Sequence, residues 1–143
     1  MTNNNQKGRM TEIQCELYFT QNNILLSKPI CQDSRYDYIM EYNKHLYKIQ
    51  CKSSTFKEDK IEFRTHMNNI RQNTTKYYTE EDVDFFYTYW NGVNYLVPFN
   101  KSGKGSTTLR FTSKTPNNPN IRWARDYEAD KILSELLNKE EVV

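Results

Sequence analysis

Apolar and polar positions follow two different periods along this chain, and each change of period marks an element. From residue 5 to about 21 the period is helical, with Met10, Ile13 and Leu17 on one stripe and Tyr18 widening it. That stripe is expected to face the core. Glu12 and Glu16, one turn apart, share its flank. Asn22-Asn23 ends the helix, and Ile24-Leu25-Leu26 reads as a short strand stopped by Pro29. Tyr36 to Glu41 has the aromatic and branched residues of a strand, and Leu46 to Ser53 alternates; a polar turn at Tyr42-Asn43-Lys44 joins them. Ile61 to Thr65 follows a charged turn as a further strand. Asn91-Gly92 between Val83–Trp90 and Val93–Val97 predicts a hairpin with a two-residue type I′ turn. Thr107 to Thr112 is expected as a last strand. Ile121 to Leu137 reads as a second helix, with Ile132, Leu133 and Leu136 in its stripe and Arg122 and Arg125 in its first turn.

Three segments between these are expected to lack regular strands. His66 to Tyr78 reads as a polar, basic loop. Thr79 is placed as N-cap of a short helix. Ser102-Gly103-Lys104-Gly105-Ser106 fails as a phosphate-binding P-loop, because Pro98 stands where the first glycine is needed, and reads as a flexible basic loop. The pattern predicts one α/β domain over residues 1–143, a mixed twisted β-sheet flanked by an N-terminal and a C-terminal helix.

Composition changes this picture in two ways. Hydrophobic residues make up only 36%, but aromatics reach 14%, so tyrosines supply core area with their hydroxyls kept wet. The three cysteines, Cys15, Cys31 and Cys51, form no Cys-x-x-Cys pair, which argues against a disulfide framework and a cysteine zinc site. With no apolar leader and no run of transmembrane length, an intracellular protein is expected, and the excess of Asn, Lys, Ile and Tyr points to the AT-rich genome of a bacterium or its phage. The net charge of +2 is unevenly laid out. No acid occurs between Asp84 and Asp126, an interval carrying Lys101, Lys104, Arg110, Lys114, Arg122 and Arg125. A second acid-free interval carries Arg64, Arg71 and Lys76. Clusters of this kind attract phosphate locally, so all nine are candidate DNA contacts.

The candidate chemistry lies in the paired strands. Alternation sends Ile49 and Cys51 to one face and Lys48, Gln50 and Lys52 to the other. Asp37 enters the neighbouring strand, so a carboxylate, an amide oxygen and an ammonium converge. That grouping suits divalent-metal phosphodiester chemistry.

These residues resemble the motif of the PD-(D/E)xK nuclease superfamily, and most closely its group I intron homing endonuclease branch. The branch's features are matched by Lys7-Gly8 with Glu12, by Tyr36-Asp37, and by Ile49-Gln50-Cys51-Lys52. Two departures stand out: no proline precedes Asp37, and Gln50 replaces the usual second acid, which the intron branch tolerates. The resemblance implies a restriction-endonuclease-like fold and a Mg²⁺-dependent endonuclease acting on double-stranded DNA, with Mn²⁺ as a substitute ion. It implies Asp37, Gln50 and Glu12 as metal ligands and Lys52 as the group orienting water or phosphate. A homo-oligomer, at least a dimer, is the simplest way to cut both strands. Two other readings stay open: a Holliday-junction resolvase of the same fold, and a nucleic-acid-binding module whose catalytic site has decayed.

Overall fold

The structure, a computed structural model, describes residues 3–69 and 74–141. Helix α1 spans Asn4–Gln21 and starts at a capping box: Asn3 accepts from the Gln6 backbone N–H, and the Gln6 side chain accepts from the N–H of Asn3. Its buried residues are Thr11, Cys15, Tyr18 and Phe19. Of the expected stripe Tyr18 goes in, while Met10, Ile13 and Leu17 face outwards, 58%, 47% and 48% exposed. The sequence holds two apolar stripes on opposite sides of one helix. The stripe with two aromatic rings goes in because it removes more apolar area from water.

The strands in chain order are β1 (Leu25–Ser27), β2 (Tyr38–Tyr42), β3 (His45–Cys51), β4 (Thr55–Lys57), β5 (Lys60–Arg64), β6 (His66–Asn69), β7 (Thr74–Tyr77), β8 (Phe85–Trp90), β9 (Val93–Pro98) and β10 (Ser106–Arg110). The main sheet has the order β1-β2-β3-β8-β9. It is mixed: β3 and β8 pair in parallel, the other neighbours antiparallel. Helix α2 (Ala129–Glu141) joins α1 on one face, over a core that includes Phe19, Tyr38, Ile49, Tyr87, Leu96 and Ile132. A small sheet, β10-β5-β4, covers the other face through Ile61, Phe63, Phe86, Val97 and Leu109. β8 is therefore buried on both sides, Phe85 and Tyr87 towards the helices and Phe86 away from them, which explains its unbroken aromatic run. The predicted α/β class and helix-flanked mixed sheet are what the fold contains.

Hairpin turns fix the register. Asn91 and Gly92 have φ of 48° and 84°, as the Asn-Gly signal predicts. Asn43-Lys44 (49°, 68°) and Glu58-Asp59 (55°, 57°) take the same left-handed pair without glycine. Each such non-glycine residue costs roughly 1–2 kcal/mol locally, which the strands on either side offset.

Four expectations are corrected. The segment expected as a loop over His66–Tyr78 holds β6 and β7, an antiparallel ribbon with His66 opposite Tyr77, and its residues 70–73 lie outside the described residues. Residues 79–82 form a turn rather than a helix start, because the Asp82 carboxylate accepts from both the backbone N–H and the hydroxyl of Thr79. Residues 102–106 are pinned, not flexible: Thr65 donates its hydroxyl to the Gly103 carbonyl at 2.6 Å and its N–H to that of Gly105 at 3.1 Å. A Cβ on Gly103 would lie 2.0 Å from the Ser106 carbonyl oxygen, so glycine is required there. Finally, the C-terminal helix begins at Ala129, not Ile121. The backbone before it is spent elsewhere, the Arg122 carbonyl accepting from Arg110 on β10, with a one-turn 3-10 helix at Ala124–Tyr127. Arg122 and Arg125 thus precede α2 and do not oppose its dipole. Among the described residues no helix is long and apolar enough to cross a membrane.

Candidate active site

Antiparallel pairing of β2 with β3 sets Tyr38 opposite Ile49, so Asp37, one step earlier, comes opposite Gln50. Asp37 is held by β3 itself. Its N–H donates to the Ile49 carbonyl, and its Oδ2 accepts from the Cys51 N–H, both at 2.8 Å. Ile49 is fully buried beneath the helices with Cys51 packed against the same core, and alternation turns Gln50 and Lys52 to the opposite face, as expected from the sequence. The Lys52 N–H donates to the Tyr87 carbonyl at 2.9 Å, fastening the end of β3 to β8. Its Nζ lies 5.0 Å from the ring centroid of Tyr78. Tyr78 is buried and packs edge-on against Phe86.

Glu12 comes in from the flank of α1. It pairs with Arg9 at 3.1 Å and lines, with Asp37, Lys28, Gln32 and Tyr36, a cavity of about 180 Å³. Glu16, one turn on, is a strut: the Tyr38 hydroxyl donates to it, and Lys28 and Arg9 lie 3.7 Å and 3.3 Å away. The Tyr38 bond, with those cations, holds its carboxyl below the usual range.

The electrostatics of the two central groups run against their charges. Burial pushes the Asp37 carboxyl above its ordinary value, and the nearby Glu12 adds to this; the Cys51 N–H, Lys52 and Lys28 only partly compensate. Burial pushes the Lys52 ammonium below its ordinary value, and Arg64 adds to that, against the attraction of Asp37. The Tyr78 phenol is pushed up to about 12, by burial first and then by Asp37 and Asp82. A partly dehydrated carboxylate, Asp37, with Glu12 lining the same cavity and an amide oxygen opposite it on β3, fits a hard divalent cation. Among the described residues no three His, Cys, Asp or Glu side chains converge. A cation here would therefore have Asp37 and Glu12 as charged donors and Gln50 as a neutral one.

The structure divides the basic residues. Ser106 pairs with Arg64 at one end of the small sheet and Arg110 with Lys60 at the other. Arg64 lies close enough to Lys52 to disfavour its charge. Close by, His66 Nδ1 contacts the Gly105 carbonyl at 2.6 Å, and Lys104 places its Nζ 4.8 Å from the ring centroid of Tyr77, beside Lys76 on β7. Arg110 and Lys114 line a separate groove of about 660 Å³ at the far end. Arg122 is tied through Nε to the Lys101 carbonyl at 2.6 Å, and Arg125 stacks on Trp123 at 4.8 Å. Arg71 lies outside the described residues. Tyr78 and Lys28 escaped sequence reasoning: Tyr78 ends a segment read as loop, and nothing local links Lys28 to a site completed by Asp37.

A carboxylate at the entrance of one strand, answered by Gln-x-Lys on the next within a mixed sheet, defines a nuclease domain of the restriction-endonuclease-like fold. The model of the PD-(D/E)XK endonuclease family matches residues 2–130, and the chain belongs to that family. Its fold is similar to that of the bacterial homing endonuclease I-Ssp6803I, with a TM-score of 0.73 and 21% identity over 97% of this chain and 99% of the other. No curated protein matches the sequence.

Proposed function

We propose that this protein is a Mg²⁺-dependent endonuclease that hydrolyses phosphodiester bonds in double-stranded DNA, in the manner of a homing endonuclease. The observation that carries this reading is Asp37 clamped to the Cys51 N–H between Gln50 and Lys52. Asp37, Glu12 and Gln50 hold the ion, which supplies charge for the developing oxyanion when bound. Lys52, steadied over the Tyr78 ring, orients the attacking water against the phosphate. One copy carries one such site, so cutting both strands takes two copies.

The test is incubation with supercoiled plasmid, linear duplex and a synthetic four-way junction, with Mg²⁺ and with chelator. Sequence-restricted cutting that stops with chelator is expected. Cutting of the junction alone supports the resolvase reading, and binding without cutting supports the decayed module.

The DNA path is read from Lys76 and Lys104, which share the end of the molecule nearest Lys52. Replacing both by Gln is expected to lower the slope of log K against log salt by about two units, close to one per lost phosphate contact. Lys114→Gln, at the far end of the small sheet, is expected to leave the slope unchanged. Equal effects at both ends would remove the assignment of this path.

A further inference from the structure

Helix α1 carries apolar side chains on two opposite sides, and among the described residues only one side is buried against a partner. Cys15, Tyr18 and Phe19 enter the core, while Met10, Ile13 and Leu17 stand half-exposed. With 3.6 residues per turn, those three fall within roughly 60° of one another and roughly opposite Cys15. Their spacing, four residues removed from Gln6 and then three and four, is the a and d spacing of a heptad. Arg9 and Glu16 then occupy successive g positions on one flank, and Lys7, Gln14 and Gln21 the e positions on the other.

We propose that this face of α1 packs antiparallel against α1 of a second copy of the chain, with the two-fold axis between Met10 and Ile13. Met10 of each copy then meets Ile13 of the other, Leu17 flanks them, and Arg9 meets Glu16. Charge decides both the occupant and the direction. Antiparallel pairing sets g against g, which joins Arg9 to Glu16 twice. Parallel pairing sets g against e and leaves both facing glutamines. Among the described residues Arg9 contacts Glu12 and Glu16 through Nη1, which leaves its other guanidinium donors for the second copy. A nucleic acid fits the face less well than a second copy, since its three apolar side chains give a phosphate backbone nothing to bind and the one arginine on their flank is already paired with Glu12 and Glu16. Glu12 lies on the same flank as Arg9, so the pairing places the two candidate active sites beside the two-fold axis. That consequence for cutting both strands rests on the nuclease reading; the association itself does not.

Sedimentation equilibrium of the full chain without DNA tests the pairing independently of cleavage. The unaltered protein is expected to associate. Ile13→Lys and Leu17→Lys are expected to weaken self-association by about 100-fold or more, as for a central interface residue. Their melting temperatures should lose the concentration dependence of the unaltered protein and match its value at high dilution, because both positions are half-exposed in the single chain. Arg9→Glu and Glu16→Arg are each expected to weaken association alone and to restore it when mixed, because the mixed pair matches charges at both contacts. The proposal is overturned by an unaltered protein that sediments as one chain, by Ile13→Lys remaining associated, or by mixed charge variants that stay apart. A single-chain protein whose plasmid affinity changes with Leu17→Lys would give the face to DNA instead.

Discussion

Asp37→Asn is expected to abolish cleavage and, with chelator present, to raise the melting temperature at neutral pH. The loss of cleavage follows from removing the charged donor closest to Lys52. Metal-held charge stabilisation is worth several kcal/mol, so a fall of at least about 10³-fold is expected. DNA affinity should change little, because phosphate contacts supply most of it. The gain in stability follows from the sign of the shift. Burial raises the folded carboxyl above its value in the unfolded chain. Stability therefore falls as pH rises from the ordinary carboxylate range through the raised value, and the loss is complete above it. That balance already includes the attraction of Lys52. Asparagine removes the charge yet keeps an oxygen for the Cys51 N–H. At about pH 3, below the ordinary carboxylate value, the two proteins should melt alike. Adding Mg²⁺ should raise the melting temperature of the unaltered protein more than that of the variant. Lys52→Met should match the loss of cleavage. An Asn variant that cuts at the normal rate, or melts lower in chelator, contradicts the assignment.

What could be read from the chain divides by how local the causes are. Asp37, Gln50 and Lys52 were legible because strand alternation and a two-residue turn fix their relation within sixteen residues. The Asn91-Gly92 turn announced itself for the same reason. α1 was found, but not which way it faces: its two stripes compete, and the winner depends on Tyr87 and the remaining core far along the chain. The β6–β7 ribbon escaped because its residues are polar on both faces, leaving no alternation to detect. The start of α2 depends on a hydrogen bond from Arg110 to Arg122, twelve residues apart, that local propensity does not contain. The same is true of the basic residues. Lys104 and Lys114 share one acid-free interval, yet the pairing of β10 with β5 sends their surroundings to opposite ends of the small sheet.

Gln50 offers the sharpest test of the metal reading, because it brings an oxygen without charge to a place where the superfamily pattern has an acid. Pairing puts it opposite Asp37, whose carboxyl is already disfavoured by burial and by Glu12. An amide oxygen can ligate a hard cation while adding nothing to that repulsion. Gln50→Leu removes the donor and should lose cleavage. Gln50→Glu should retain it and lower the Mg²⁺ concentration for half-maximal rate by roughly tenfold, equivalent to about 1.4 kcal/mol of tighter binding. The same variant should melt below the unaltered protein in chelator, since a third carboxylate then faces Asp37 with no cation between them. Saturating Mg²⁺ should close that gap. Cleavage rate and melting temperature, each titrated with Mg²⁺ for the three proteins, separate a ligand from a bystander. If Gln50 only faces solvent, both substitutions leave both curves where they were, and a Leu variant with the unaltered Mg²⁺ curve removes Gln50 from the site.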